Sequence, residues 1–355
     1  MLNSPFKEIG EGRFQNMTII NFSGSKFLTK VPNLSRSPNL KEVVLTNCKN
    51  LVEVHHSVGF LDKLVTLNCS GCFKLTSFPK SLKLMSLEKL YLQGCESLQN
   101  FPEIECEMKN VNYVVLEGLQ ETSGNSELPP KTKAIVASGC TSLERFLQLS
   151  KVWQFNTSDL QELKLIDLTG SHNIVVDVEN FVPKGLLFQG YPTGHDSVHK
   201  DSTFSVIFPG STMPHWFQHC VENSDDNSFE INVSALTNLD EISGIALYIV
   251  FGPTFIDDEI NNSCGIHVQC DGTYPHSFFD VSYLMGRLHV WLQYITIYHI
   301  EYNSGQVRVY NDSKSMIIKS CGFYLVYKHE LDAKDDLDML HEDVDVNLEC
   351  REQNI

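Results

Sequence analysis

The sequence has no hydrophobic segment long enough to cross a membrane and no excess of basic charge. Its longest uncharged run, ISGIALYIVFGPTFI at 242–256, carries glycine and proline and is shorter than the roughly 20 apolar residues that a spanning helix needs. The formal net charge of −17 repels nucleic-acid phosphates and anionic lipid surfaces. We therefore expect neither nucleic acid nor a membrane as a partner.

The patterns of several catalytic classes are also missing. There is no Gly-x-x-x-x-Gly-Lys phosphate loop, and GEG at 10–12 lacks the third glycine of a dinucleotide fingerprint. No spacing supports a nucleophilic Cys-His pair. We assign no catalytic, cofactor-binding or metal-binding residue and expect a protein that is not an enzyme. An enzyme or metal site using Cys264, His267 and Cys270 is the weaker alternative, because these residues have no fourth ligand nearby.

No apolar signal segment opens the sequence, since charged residues are mixed into MLNSPFKEIGEGRF. The 11 cysteines are then best interpreted as reduced thiols in a reducing compartment. We expect a cytoplasmic protein, with the nucleus as a second possible location.

What the sequence does contain is an internal repeat. The frame L-x-x-L-x-L-x-x-C occurs four times in succession, and its ninth position recurs after 23, 24 and 23 residues at Ser25, Cys48, Cys72 and Cys95. This spacing lies within the ~20–29-residue period of leucine-rich repeats. Weaker copies begin at Val111, Thr132 and Leu163. The pattern predicts a solenoid in which each turn contributes one short parallel strand to a concave sheet.

The ninth position of the frame predicts a structural ladder of cysteines. The backbone turns inward there, which requires a small side chain able to donate a hydrogen bond to a neighbouring carbonyl, and cysteine meets this need. The predicted ladder is Cys48, Cys72, Cys95 and Cys140. A zinc cluster that also uses Cys69 is the alternative, but residues stacked one per turn at ~4.8 Å do not converge on one ion.

The positions between the inward-facing leucines predict a solvent-facing concave surface. Tyr91 and Tyr113 stand out, because aromatic residues are enriched at interaction hot spots. A strand face that is merely solvated is the alternative for part of this set. The candidate partner-binding residues are Glu42, Val44, Thr66, Asn68, Lys89, Tyr91, Tyr113 and Val115.

Beyond residue 200 the periodicity changes to that of β-strands. Segments 228–236 and 306–311 alternate, and segments 244–251 and 322–329 are apolar runs bounded by turn residues. Such spacing predicts an antiparallel sandwich. FPGSTMPHWF at 208–217 combines tight turns with large aromatics. It predicts either a turn with a buried anchor or a second binding edge formed by Ser211, Thr212, His215 and Trp216.

The stretch from 39 to 110, beginning NLKEVVLTNCKNLVEV and including LEKLYLQGCESLQNFPE, resembles the leucine-rich repeats of plant intracellular immune receptors of the TIR-NBS-LRR class. NFSGSKFLTKVPNLSRSPNL at 21–40 and LPPKTKAIVASGCTSLERF at 128–146 are similar to the first and last parts of that repeat region. FSVIFPGSTMPHWFQHC at 204–220, RLHVWLQYI at 287–295 and IKSCGFYLVY at 318–327 resemble the jelly-roll, immunoglobulin-like domain that follows the repeats in this family.

The resemblance implies a non-enzymatic recognition module that binds a pathogen effector or a guarded host protein. In an intact receptor its further partners would be the TIR and nucleotide-binding (NB-ARC) domains. Neither lies within these residues, so we expect neither NAD hydrolysis nor nucleotide exchange from this chain. The alternative is a stand-alone adaptor or decoy that titrates the partners of complete receptors.

The expected fold is an α+β leucine-rich repeat solenoid followed by an all-β jelly-roll or immunoglobulin-like sandwich. The boundaries that we expect are a lead-in at 1–16, repeats at 17–150 and a degenerate last repeat with a junction at 151–203. The C-terminal domain then occupies 204–330. The acidic segment 331–355 is expected to be a solvated tail.

Overall fold

The structure is a computed structural model, and it describes fourteen stretches of the chain. They are residues 15–98, 102–105, 110–118, 133–140, 165–171, 203–214, 217, 219–222, 228–232, 239–253, 265–270, 287–296, 306–312 and 316–327.

The repeats form a parallel solenoid. Each copy of the frame contributes a three-residue strand, and each strand pairs in parallel with the strand of the next turn. The middle residue of every strand is the apolar frame residue and is buried, whereas its two neighbours face outward. The strands are β1 (Ile19–Asn21), β3 (Glu42–Val44), β5 (Thr66–Asn68), β7 (Lys89–Tyr91), β9 (Tyr113–Val115), β10 (Ala134–Val136) and β11 (Leu165–Asp167).

The convex side carries shorter pairings and a 3-10 helix. Two-residue strands pair in parallel as β2 (Lys30–Val31) with β4 (Glu53–Val54), and β6 (Ser81–Leu82) with β8 (Glu103–Ile104). The helix spans His56–Phe60. In the part of the chain that the structure describes, this helix and a second 3-10 turn at Leu239–Glu241 are the only helices, so the helical component of the expected α+β class is not confirmed.

A column of left-handed residues makes the turn after each concave strand possible. Its members have φ between 58° and 77°, a region that glycine enters without strain and asparagine tolerates. Except at Gly170, each N–H donates to a carbonyl of the following turn, as in Gly71 N to Gln93 O at 2.8 Å, so the column also ties the turns together. It consists of Gly24, Asn47, Gly71, Gly94, Gly118, Gly139 and Gly170.

The C-terminal region continues the concave sheet. Strand β12 (Thr203–Pro209) pairs in parallel with β11 and antiparallel with β17 (His289–Thr296). The resulting twelve-stranded sheet then runs through β15 (Ile242–Pro253), β19 (Met316–Tyr327) and β13 (His219–Glu222). A separate antiparallel sheet has the order β14 (Ser228–Asn232), β18 (Gln306–Asn311) and β16 (Ile266–Cys270).

The two faces of the long sheet enclose different cores. One face continues the solenoid interior, because Val206, Tyr248 and Leu292 belong to the same apolar cluster as the stacked leucines. The other face, with Ile207 and Trp291, packs against the three-stranded sheet to form a second core. The described strands of this region therefore form two packed sheets, whereas the jelly-roll or immunoglobulin-like domain is not confirmed.

His289 closes the last turn of the solenoid. The N–H of Gly170 donates to Nε2 of His289 at 3.0 Å, whereas the other members of the left-handed column donate to a carbonyl of the following turn. The imidazole is fully buried, and its Nδ1 contacts Arg287 O at 3.1 Å. Because Nε2 accepts a hydrogen bond, the Nδ1 nitrogen carries the proton and donates to this carbonyl. The C-terminal region thus supplies the acceptor that another repeat would otherwise provide.

Candidate protein-binding surface

The concave sheet presents two columns of outward-facing side chains. The strand register places one such position on each side of every buried frame residue. All eight candidate residues from the sequence lie in these columns. The first column is Ile19, Glu42, Thr66, Lys89, Tyr113, Ala134 and Leu165, and the second is Asn21, Val44, Asn68, Tyr91, Val115, Val136 and Asp167.

The character of this surface changes along the solenoid. Glu42, Thr66, Asn68 and Lys89 make the earlier turns mainly polar, although Val44 and the exposed Ile19 also lie there. Later turns form a strip of aromatic and aliphatic side chains, in which Tyr113 is 40% exposed. We call this the apolar strip, and it comprises Tyr91, Tyr113, Val115, Ala134, Val136 and Leu165.

Three members of the strip, Ala134, Val136 and Leu165, were missed by the sequence reasoning, as was the neighbouring Asp167. The signal was present, because the weaker repeat frames that begin at Thr132 and Leu163 already placed these residues beside inward-facing positions. Their outward direction follows from the parallel register of β9, β10 and β11.

Asn68 has a second role within its own turn. Its Oδ1 accepts the N–H of Ser70 at 3.0 Å, and Asn21 and Asp167 accept from Ser23 and Thr169 in the same way. These Asx-type bonds stabilise the turn after the strand. The carbonyl oxygen of the Asn68 side chain is therefore already engaged, and a partner would contact this residue mainly through its amide nitrogen.

The apolar strip ends against the three-stranded sheet. Ile207 continues the column of Val136 and Asp167, and it is buried in the core beneath that sheet. Leu165, in the other column, is partly buried and packs against the same core. The three-stranded sheet therefore lies on the concave side of the solenoid. It closes one end of the groove that the concave sheet forms, and we call this feature the groove.

The second candidate edge lies elsewhere. Ser211 and Thr212 are exposed, but the backbone carbonyl of Thr212 accepts the hydroxyl of Tyr248. The Tyr248 ring packs on Phe217 with centroids 5.1 Å apart, and both rings belong to the core that continues the solenoid interior. This segment therefore lies on the face of the long sheet opposite the groove. His215 and Trp216 lie outside the described residues.

The four ladder cysteines occupy equivalent positions, Cys48, Cys72 and Cys95 in three successive turns and Cys140 two turns later. Each thiol donates to a carbonyl of the preceding turn: Cys48 Sγ to Phe22 O at 3.1 Å, and Cys72, Cys95 and Cys140 to Leu45 O, Cys69 O and Leu116 O at 3.2 Å. All four are fully buried. Burial raises the pKa of Cys48, Cys72 and Cys69, and it raises the pKa of Cys95 to about 12.

Buried thiols with a raised pKa are poorly suited to bind a metal, since the metal ligand is the ionised thiolate. No group of three or more potential metal ligands occurs within the described ranges. His267, from the alternative site, lies 3.0 Å from Asp312 through Nε2 and stacks on Tyr310. Cys264 is outside the described residues. Among the helices that the structure describes, none could span a bilayer.

The repeat period, the parallel concave sheet and the stacked frame residues define the class of the fold, a leucine-rich repeat solenoid. Comparison with known proteins agrees. The chain is 42% identical over 110 residues to TMV resistance protein N of Nicotiana glutinosa, a match covering 31% of this chain and 9% of that protein. It is 38% identical over 193 residues to disease resistance protein RPP4 of Arabidopsis thaliana, covering 49% of this chain and 17% of that protein.

Disease resistance protein RPS6 of Arabidopsis thaliana is 38% identical over 318 residues, or 81% of this chain and 28% of that protein. The chain therefore spans less than a third of the length of each of these three relatives. No protein-family model matches it. Its homologues are plant disease resistance proteins of the TIR-NBS-LRR type, which confirms the resemblance identified from the sequence.

Proposed function

We propose that this chain is the protein-recognition portion of a plant intracellular immune receptor, and that it binds a pathogen effector or a guarded host protein during defence. The observation that carries the proposal is the apolar strip, a row of aromatic and aliphatic side chains on the concave sheet that is half-buried except at the exposed Tyr113. A strip of this kind is the hydrophobic centre that protein interfaces require, and homology to disease resistance proteins gives the binding its biological setting.

The mode of binding follows from the shape of the groove. A partner would place apolar groups over Tyr91, Tyr113 and Val115 and would meet the three-stranded sheet at one end. The polar turns around Glu42 and Lys89 would then form the rim of the interface. Because Ser211 and Thr212 lie on the opposite face of the long sheet, a partner in the groove would not contact them at the same time.

The rest of the assignment belongs to the same proposal. The C-terminal pair of sheets is taken to be a jelly-roll or immunoglobulin-like domain, and the chain is taken to act without catalysis in the cytoplasm or nucleus. In an intact receptor the TIR and NB-ARC domains would be its partners within the protein. Ligand binding would activate such a receptor only if the ligand bound the active state more tightly than the resting state.

The test is a binding screen of the full chain against a panel of pathogen effectors and candidate host proteins. For each binder, the double variant Tyr91→Ala/Tyr113→Ala should weaken binding by tenfold or more, because interface aromatics typically contribute over 1 kcal/mol each. Phe27→Ala is the matched control, since Phe27 is 55% exposed but precedes the convex strand β2. Binders that lose affinity equally in both variants, or in neither, would contradict the concave site.

A further inference from the structure

The convex side of the solenoid carries a cavity that is separate from the apolar strip. It has a volume of about 290 Å³ and lies between the second and third turns. The lining residues that matter here are His55, His56, Phe60, Phe78, Lys80 and Glu53.

The cavity lies where the parallel pairing on the convex side switches from the preceding turn to the next turn. Ser77 bridges back to Glu53 of the preceding turn, whereas Ser81, four residues later, pairs forward with Glu103 of the next turn. Phe78, Pro79 and Lys80 form the step between the two pairings. The 3-10 helix His56–Phe60 lines the same space.

Close packing holds the helix against this step. A side chain at Gly59 would collide with the backbone oxygen of Ser81 and approach Cβ of Pro79 at 3.0 Å. The Gly59 carbonyl accepts the N–H of Lys83 at 2.7 Å. Backbone contacts therefore fix the position of the helix relative to segment 79–83.

Hydrogen bonds also fix the start of the helix. Nδ1 of His55 accepts the N–H of Ser57 at 3.2 Å and lies 3.0 Å from its Oγ, which itself accepts the N–H of Leu34 at 2.9 Å. Because Nδ1 is an acceptor, the proton of the neutral imidazole is on Nε2. His56 lies against this ring with centroids 4.0 Å apart.

The lining is rich in flat rings and includes two charged residues, Glu53 and Lys80. The two imidazoles and the rings of Phe60 and Phe78 line one space, and Phe60 is 48% exposed. Glu53 is paired with Lys30 at 3.0 Å, while Lys80 makes no ion pair with any residue that the structure describes. Rings favour stacking with a flat aromatic group, and the ammonium of Lys80 favours an anion.

We propose that this convex cavity binds a small aromatic group bearing one carboxylate, with the ring between the imidazole and phenyl side chains and the carboxylate at Lys80. The volume lies at the lower limit of small-molecule sites and suits one or two fused rings. The group belongs either to a free aromatic acid or to a peptide in which an acidic residue follows an aromatic one.

The test is a titration of the full chain with 2-naphthoate, monitored by saturation-transfer NMR, with the neutral 2-naphthalenemethanol in parallel. Saturable binding of the acid is expected, and the alcohol should bind about three- to fivefold more weakly, which is the effect of one exposed ion pair. Lys80→Gln should weaken naphthoate binding by the same factor. Phe60→Ala should weaken it about fivefold through loss of a ring contact.

Controls come from the same turn of the chain. Lys83→Gln and Met85→Ala change exposed residues outside the cavity and should leave binding unchanged, whereas Ser77→Trp should fill the cavity and abolish binding.

Titration with acetyl-Trp-Asp-amide separates the two sources of the ligand. Tighter binding than that of naphthoate indicates a peptide ligand, and weaker binding indicates a free acid. The proposal is overturned if neither ligand binds saturably, or if Lys80→Gln and Phe60→Ala bind as well as the controls.

Discussion

The left-handed turn column predicts a measurable difference between two glycines that look alike in the sequence. Gly71 has φ +71°, and a methyl group added there would collide with Oδ1 of Asn47 in the preceding turn. The left-handed conformation costs an L-residue about 1–2 kcal/mol relative to glycine. The colliding oxygen is the end of a flexible side chain, so its displacement adds no more than about 1 kcal/mol. Gly71→Ala should therefore lower the free energy of unfolding by about 1–3 kcal/mol.

Gly118 provides the matched control. Its φ is +77°, and no atom of the described residues, apart from its chain neighbours, lies within 4 Å of an added Cβ. Gly118→Ala should therefore cost only the conformational term, about 1–2 kcal/mol. In the background of Asn47→Gly the colliding side chain is gone, and the cost of Gly71→Ala should fall to that of Gly118→Ala. The difference between the two backgrounds is the coupling energy of the contact.

The assay is urea unfolding of the full chain, followed by circular dichroism and compared at the transition midpoint. If Gly118→Ala leaves the free energy of unfolding unchanged, the turn does not impose a left-handed conformation, and the explanation of the column is refuted. If Gly71→Ala costs the same with and without the Asn47 side chain, the collision is not its source.

Three further perturbations test the buried polar groups. Burial raises the pKa of Cys95 from about 9 to about 12, so the unfolded chain ionises this thiol first. Stability should fall as the pH rises from 9 to 12, and Cys95→Ala should reduce the slope by about 1.4 kcal/mol per pH unit. His289→Leu leaves the N–H of Gly170 unpaired and should cost about 1–3 kcal/mol; unchanged amide exchange at Gly170 would contradict the capping role. Gln293 is fully buried, and neither polar atom of its amide has a hydrogen-bond partner among the residues that the structure describes, so Gln293→Met should stabilise the fold by about 1 kcal/mol or more. A loss of stability would show that the amide is satisfied.

The repeat solenoid could be predicted because its information is local and periodic. The frame predicted inward-facing residues such as Val43, Leu67 and Leu90, and all three are fully or almost fully buried. Even the degenerate copy forms β11, with Ile166 buried at its centre. A strand that alternates inward and outward side chains reveals its register in sequence, so the eight candidate positions from Glu42 to Val115 followed from the frame, whereas Ala134, Val136, Leu165 and Asp167 were missed.

The sequence alone could not predict the way in which the two regions join. Nothing local indicates that β12 pairs with β11, that Ile207 continues the column of Asp167, or that His289 receives the N–H of Gly170 from 119 residues away. These are pairings between distant parts of the chain, and periodicity carries no information about them. For the same reason the sequence could not show that Ser211 and Thr212 lie on the face of the long sheet opposite the groove.

By itself, the sequence determined the repeat period, the buried frame positions and the exposed columns, since each depends on residues within a single turn. Tertiary structure decided where the groove ends, which side chains form the apolar strip and where the convex cavity opens. The physical reason is that these features depend on which turns and sheets pack together. For example, the convex cavity lies where Ser77 pairs with the preceding turn and Ser81 pairs with the next turn. The local sequence around either residue does not specify this arrangement.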